Sequence, residues 1–146
     1  MDVAFAKMHG AGNDFIMIDD SDAEFEISGS IIASLCAFHT GIGADGLILL
    51  RPSGKADFTM RYFNRDGSEA GMCGNGARCA AMFAFSRGVA GEEMVFETGS
   101  GLVHGRILED GVKIGITGVS GLRTGIALPG SGLEVAYAKC GVPHAV

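Results

Sequence analysis

An α+β fold, with strands wrapped around one buried helix, is predicted by three observations. Ala77 to Arg87 contains no proline and is apolar on nearly every side, through Ala80, Ala81, Met82, Phe83, Ala84 and Phe85, so other elements must enclose the helix it forms. The 24 glycines fall mostly at turns between short apolar runs, the pattern of many short strands. Glu109-Asp110-Gly111 between two such runs is a hairpin signal, which makes that pair antiparallel within an antiparallel or mixed sheet. At 146 residues the chain is long enough for a domain with a moderate core.

In chain order, Val3 to Met8 and Phe15 to Ile18 read as strands flanking a polar, glycine-containing loop, His9-Gly10-Ala11-Gly12-Asn13-Asp14. Ser28 or Ser30 caps a helix that runs through Ile31, Ile32, Leu35, Cys36 and Phe38 and ends at Gly41. Leu47 to Leu50 and Phe58 to Phe63 are strands, the second closed by a turn at Asn64-Arg65-Asp66-Gly67. The central helix follows, stopped by Gly88. Met94 to Glu97, Leu102 to Leu108 and Val112 to Ile116 are strands. A further pair lies near Leu122 to Leu128 and Leu133 to Lys139, joined by Pro129-Gly130-Ser131-Gly132.

The chemistry concentrates where that helix starts, at Met72-Cys73-Gly74-Asn75-Gly76-Ala77-Arg78-Cys79. Gly74 and Gly76 allow a tight turn, and Asn75 suits a helix N-terminus. Free amides there would point toward the Cys73 thiol and toward whatever binds beside it. A cysteine so placed is expected to be partly thiolate and reactive. Cys79 and Cys36 fall inside apolar helical patterns and read as core residues.

Net charge is −6, which argues against a nucleic-acid surface, and no apolar run reaches membrane length. The four cysteines lack the paired spacing of a zinc site, and no two of the four histidines have metal-ligand spacing. With no export signal, reduced thiols and a cytoplasmic location are expected. Other loops are less telling. Asn13-Asp14 and Asn64, taken singly, are ordinary turn residues. Gly43-Ala44-Asp45-Gly46 could cradle an anion with its amides, although it lacks the spacing of a phosphate loop. Arg78 reads as a helix-surface arginine.

Five segments in order carry a resemblance. They are Lys7-Met8-His9-Gly10 with Gly12-Asn13-Asp14-Phe15; Gly41-Ile42-Gly43-Ala44-Asp45-Gly46; Phe63-Asn64 with Asp66-Gly67-Ser68-Glu69; the Cys73 segment; and Gly141-Val142-Pro143-His144. Together they resemble diaminopimelate epimerase, and Asn75 stands where proline racemases of the same fold tend to have histidine. The resemblance implies two similar halves, each a sheet wrapped around a central helix, with substrate between them. It implies cofactor-independent interconversion of LL- and meso-diaminopimelate in lysine and peptidoglycan-precursor biosynthesis, by one cysteine on each face of the α-carbon. Carried over, Cys73 resembles one acid–base cysteine. Gly74 and Asn75 resemble the residues whose amides hold the α-carboxylate, and Asn13 and Asn64 resemble substrate-binding asparagines. The implied partner is a small amino acid, with room for a homodimer.

The chain also departs from the family. Members are about twice as long, and the Gly-Cys-Gly-Thr-like segment with the second cysteine is not found here. Cys140 precedes the Pro-His motif and is not assigned that role. Gly46 and Val142 stand where some relatives carry glutamine and asparagine. Residues 1–117 are expected to form a first domain and 118–146 the opening strands of a second, so the fragment alone is expected to be inactive. Two other readings stay open: a non-catalytic binding module of this fold, and an isomerase of this fold acting on another amino acid.

Overall fold

A computed structural model describes residues 3–116, 118–140 and 142–146. The contacts divide the chain into two compact units, Met1–Gly115 and Ile116–Val146.

The first unit is built from β1 (Ala6–Gly10), β2 (Asn13–Asp19), α1 (Gly29–Cys36), β3 (Gly46–Arg51), β4 (Phe58–Asn64), β5 (Glu69–Ala70), α2 (Gly74–Ser86), β6 (Glu93–Thr98), β7 (Gly101–Leu108) and β8 (Gly111–Ile114). Its sheet runs β1-β2-β3-β4-β6-β7-β8, with β5 beside β4. It is mixed rather than wholly antiparallel. β2 pairs with β3, and β4 with β6, in parallel. Each parallel pair is joined through a helix, which returns the chain to start a second strand in the same direction.

The two helices lie on opposite faces. Phe15 and Met17 of β2 and Ile48 and Leu50 of β3 point to the α2 side. Ile16, Ile18, Leu47 and Leu49 point to the α1 side, with Ile32 and Cys36. Covering on both faces is why β2 and β3 read as unbroken apolar runs. α2 touches β1 and β2 at one edge and β7 and β8 at the other, with β3 and β4 beneath it, so the sheet curls around it. The buried positions of α2 are mostly small, Ala77, Ala80, Ala81 and Ala84, and this lets the strands approach. A Cβ at Gly76 would come within 2.9 Å of the Ile48 side chain. Phe83 is the large residue that fills the space, and Phe58 and Phe96 stack across the β4–β6 pair at 4.8 Å between centroids.

The enclosure is incomplete. β1 and β8 do not pair, and α2 shows Phe85 to solvent. Half-buried Arg78 and Met82 line a cavity of about 390 Å³ between the β1–β2 and β7–β8 turns. The expected all-round burial of the helix therefore holds on the sheet side only, because a curled open sheet leaves a seam. α1 also ends sooner than expected. Ser28 caps it, and Ala37 at its C-cap turns to extended backbone, so Phe38 and Gly41 lie beyond it.

The second unit is a three-stranded antiparallel sheet of β9 (Ser120–Ala127), β10 (Glu134–Cys140) and β11 (Val142–Ala145), with β10 central. The strand β11, read in the sequence only as a motif, pairs through its backbone with the preceding strand.

Candidate active site

The topology brings several loops to one end of the first sheet. The turn from β1 to β2, the start of β3 and the end of β4 lie in line there, since Phe15 pairs with Gly46 and Gly46 with Asn64. β5 then delivers the chain to Cys73, the N-cap of α2. The expected helix start is present, but the cap is the thiol itself and Asn75 is the second residue inside. The Gly76 amide donates to Cys73 Sγ at 3.5 Å, and the Ala77 amide donates to the Cys73 carbonyl at 2.7 Å. The amides of Gly74 and Asn75 have no acceptor among the described residues, and a Cβ at Gly74 would meet nothing within 4 Å. Beside this start, the backbone of β1 comes so close that a Cβ at Gly10 would lie 2.9 Å from the Asn75 carbonyl oxygen.

Of the five residues singled out in the sequence, Asn13, Cys73 and Asn75 are joined by hydrogen bonds. Cys73 Sγ donates to Asn13 Oδ1 at 3.6 Å, and Asn75 Nδ2 donates to the same oxygen at 3.4 Å. Gly74 lies between the latter two in the chain. Asn64 is held apart from this trio: its Oδ1 accepts from the Tyr62 hydroxyl at 2.8 Å and its Nδ2 donates to Ser68 Oγ at 3.1 Å.

The amides of the loop before β3 are taken by backbone carbonyls rather than left open for an anion. The Gly43 amide donates to the Leu35 carbonyl at 3.0 Å, the Ala44 amide to the Cys36 carbonyl at 3.1 Å, and the Asp45 amide to the Asp14 carbonyl at 3.0 Å. With its amides engaged, the loop instead presents the Asp45 carboxylate. That group accepts from Asn13 Nδ2 at 2.8 Å, from the Asp14 amide at 3.3 Å and from Arg65 at 3.0 Å. The Asn13 bond, with smaller help from the Asp14 amide and Arg65, holds its carboxyl below the usual aspartate value. Lys7 pairs with Asp14 at 2.9 Å and donates to the Gly43 carbonyl, closing this corner. Arg78 donates to Asn75 Oδ1. Tyr62 and Arg65 carry no signal in the sequence, one inside a strand and the other in an ordinary turn. Asp45 reads there only as part of a glycine-containing loop and Arg78 as a helix-surface arginine, because the network that joins Asp45 to Asn13 and Arg78 to Asn75 forms only in the fold. Tyr62 packs edge-on against Phe15, and burial, followed by the nearness of Cys73, pushes its phenol up to about 12.

Among the described residues no three His, Cys, Asp or Glu side chains converge as a metal-ligand set, and no helix is long and apolar enough to cross a membrane. The four cysteines differ in setting. Burial pushes Cys36 up, and pushes Cys79 up to about 11. Cys73 and Cys140 are half-buried.

The family model described as diaminopimelate epimerase matches residues 5–120. This chain belongs to the diaminopimelate epimerase family. A diaminopimelate epimerase from Aquifex aeolicus is 40% identical over 155 aligned residues, covering 97% of this chain and 56% of the relative. One from Alkaliphilus metalliredigens is 52% identical over 104 residues, covering 70% of this chain and 37% of the relative. The chain thus spans about half the length of the curated relatives it matches. Among solved structures, a Bacillus anthracis phenazine biosynthesis protein of the PhzF family aligns with a TM-score of 0.70 at 18% identity, over 98% of this chain and 53% of that one. A probable proline racemase from Agrobacterium radiobacter aligns with a TM-score of 0.65 at 16% identity, over 94% of this chain and 49% of that one. At such identities these structures speak to the epimerase-family fold alone.

Proposed function

We propose that this chain is the first part of a diaminopimelate epimerase, with residues 1–117 as one catalytic half and 118–146 as the opening strands of the second. The observation that carries the reading is the convergence of the Cys73 thiol, Asn13 and the two open amides of Gly74 and Asn75 in a chain of this family.

The reaction needs two things. The α-proton of an amino acid is very weakly acidic, so the negative charge must be stabilised where it develops, on the α-carboxylate. The Gly74 and Asn75 amides, at the positive end of α2, supply donors for that charge. Inversion also needs a base on one face of the α-carbon and an acid on the other. Cys73 serves one face, and the other face is left to a second thiol from the remainder of the enzyme. Asn13 and Asn64 complete the substrate contacts. The substrate is a free amino acid rather than a nucleic acid or a membrane, no cofactor is required, and the enzyme acts in the cytoplasm. A homodimer is a further expectation, which sedimentation velocity tests.

The test compares the 146-residue chain, the full-length enzyme, and the full-length enzyme carrying Cys73→Ala. Exchange of the α-proton with deuterated solvent and stereochemical inversion of LL-diaminopimelate are measured, with L-proline as control. The expected result is turnover of diaminopimelate only, by the full-length enzyme only, abolished by Cys73→Ala. Robust inversion by the isolated chain would overturn the two-cysteine scheme. Inversion of proline in place of diaminopimelate would move the substrate assignment to another amino acid.

A further inference from the structure

Asn13 has a side-chain amide that fits its site in two ways, carbonyl or NH2 toward Cys73, and the neighbouring charges decide between them. The Asp45 carboxylate accepts hydrogen bonds and donates none, so the group facing it at 2.8 Å must be the Asn13 NH2. The carboxylate is itself pinned by two other donors, the Asp14 amide and the Arg65 guanidinium, and Arg65 lies over the Phe38 ring at 4.5 Å. At the far end the Arg78 guanidinium donates and cannot accept, so it takes Asn75 Oδ1 and turns the Asn75 NH2 toward Asn13. The result is one directed chain of bonds: Arg78 to Asn75, Asn75 to Asn13, and Asn13 to Asp45. Its middle oxygen, Asn13 Oδ1, is also the acceptor 3.6 Å from Cys73 Sγ. A thiol gives that oxygen its proton while accepting from the Gly76 amide on the other side; a thiolate would face its lone pairs instead.

Resting on the reading of Cys73 as an acid–base group, we propose that Asp45 is a positioning residue that keeps the Asn13 carbonyl toward the sulfur, so that Cys73 meets the substrate carrying its proton. Asp45 does not touch Cys73 in this scheme; it acts through Asn13. The titratable and charged groups that share the neighbourhood are Tyr62 on β4, Cys79 on α2, Arg78 one turn along the same helix, and Lys7 and Asp14 at the β1–β2 corner.

The experiment is a double-mutant cycle read by alkylation of Cys73 with iodoacetamide at neutral pH, followed by peptide mapping. In Asp45→Asn the new amide serves as donor or acceptor, so Asn13 is held only by the longer 3.4 Å bond from Asn75 and can turn its NH2 to the sulfur and stabilise the thiolate. The rate should rise about tenfold, the worth of one exchanged hydrogen bond. In an Asn13→Ala background the same substitution should change the rate by less than about twofold, because Asp45 then has nothing to orient. A rise of equal size in both backgrounds means that Asp45 acts by its charge alone and overturns the proposal, as does an unchanged rate in the single variant. A second measurement needs no variant: in nuclear Overhauser spectra of the labelled wild-type chain, the Asn13 NH2 protons should lie near the Asp45 Hβ protons. Contact with the Cys73 Hβ protons instead overturns the orientation. None of these readouts depends on turnover, so an inactive full-length enzyme would defeat the reaction assignment while leaving this result standing.

Discussion

At the scale of residues, thiol chemistry separates the four cysteines by environment. Cys36 and Cys79 are buried, which opposes their ionisation and shields them from reagent, whereas Cys73 is half-buried at a helix start. Limiting alkylation of the folded chain should therefore modify Cys73 ahead of Cys36 and Cys79, and mapping of the labelled peptides reads the order. Preferential labelling of either buried cysteine would count decisively against the site described above. The roles proposed for Cys73, Gly74, Asn75, Asn13 and Asn64 rest on matching motifs. What the sequence did not disclose is which way their polar groups point. That direction comes from Asp45 and Arg78, which reach Asn13 and Asn75 only once β2, β3 and α2 are assembled.

At the scale of elements, α2 is the part on which the first unit depends. Phe83 is 2% exposed among small neighbours that cannot close over a hole. Phe83→Ala should cost about 3–5 kcal/mol in chemical unfolding. A loss well under about 1 kcal/mol would show α2 to be peripheral. The turn after β4 provides a sharper test of close approach. Gly67 has φ of 84°, and a Cβ there would lie 2.1 Å from the Gly29 carbonyl oxygen at the start of α1. Gly67→Ala should destabilise by more than about 1 kcal/mol, because a backbone carbonyl cannot step aside as a side-chain end can. Gly54→Ala is the control, since no atom lies within 4 Å of its Cβ, and it should stay within about 0.5 kcal/mol of the parent.

At the scale of the whole molecule, stability should fall on both sides of neutrality. Hydrogen bonds from Asn13 hold Asp45 below its ordinary 3.8, and bonds from Arg61 hold Glu69 below its ordinary 4.5. A carboxyl with a depressed folded value stabilises the fold above its unfolded value and loses that contribution as pH falls through the folded one. Burial raises Cys79 from 9.0 to about 11 and Tyr62 from 10.0 to about 12. These groups support the fold while neutral and withdraw that support as pH rises from their unfolded toward their folded values. Urea midpoints should be level near neutrality, then drop below about pH 4 and above about pH 9, with Cys79→Ala flattening part of the alkaline limb. A level profile down to about pH 3, or an alkaline limb untouched by Cys79→Ala, would contradict these assignments.

The sequence alone determined most of the elements and the family, but not the short strands β5 and β11. Glycine-bounded apolar runs mark the strands, the Cys73 segment marks the start of α2, and the order of five motifs marks the relationship. Such signals are local, carried by residues a few positions apart. The tertiary structure decided what depends on distant partners. It made β2–β3 and β4–β6 parallel, since a strand's direction relative to its neighbour is set by the crossover between them. It left a seam along α2 where the curled sheet does not close. It made the loop at Gly43-Ala44-Asp45, whose glycines alone left an anion cradle open, into the support of Asn13, because its amides find carbonyls of α1 and β2 first. An amide's partner is chosen by whichever acceptor the fold brings nearest, and no spacing within the loop records that choice.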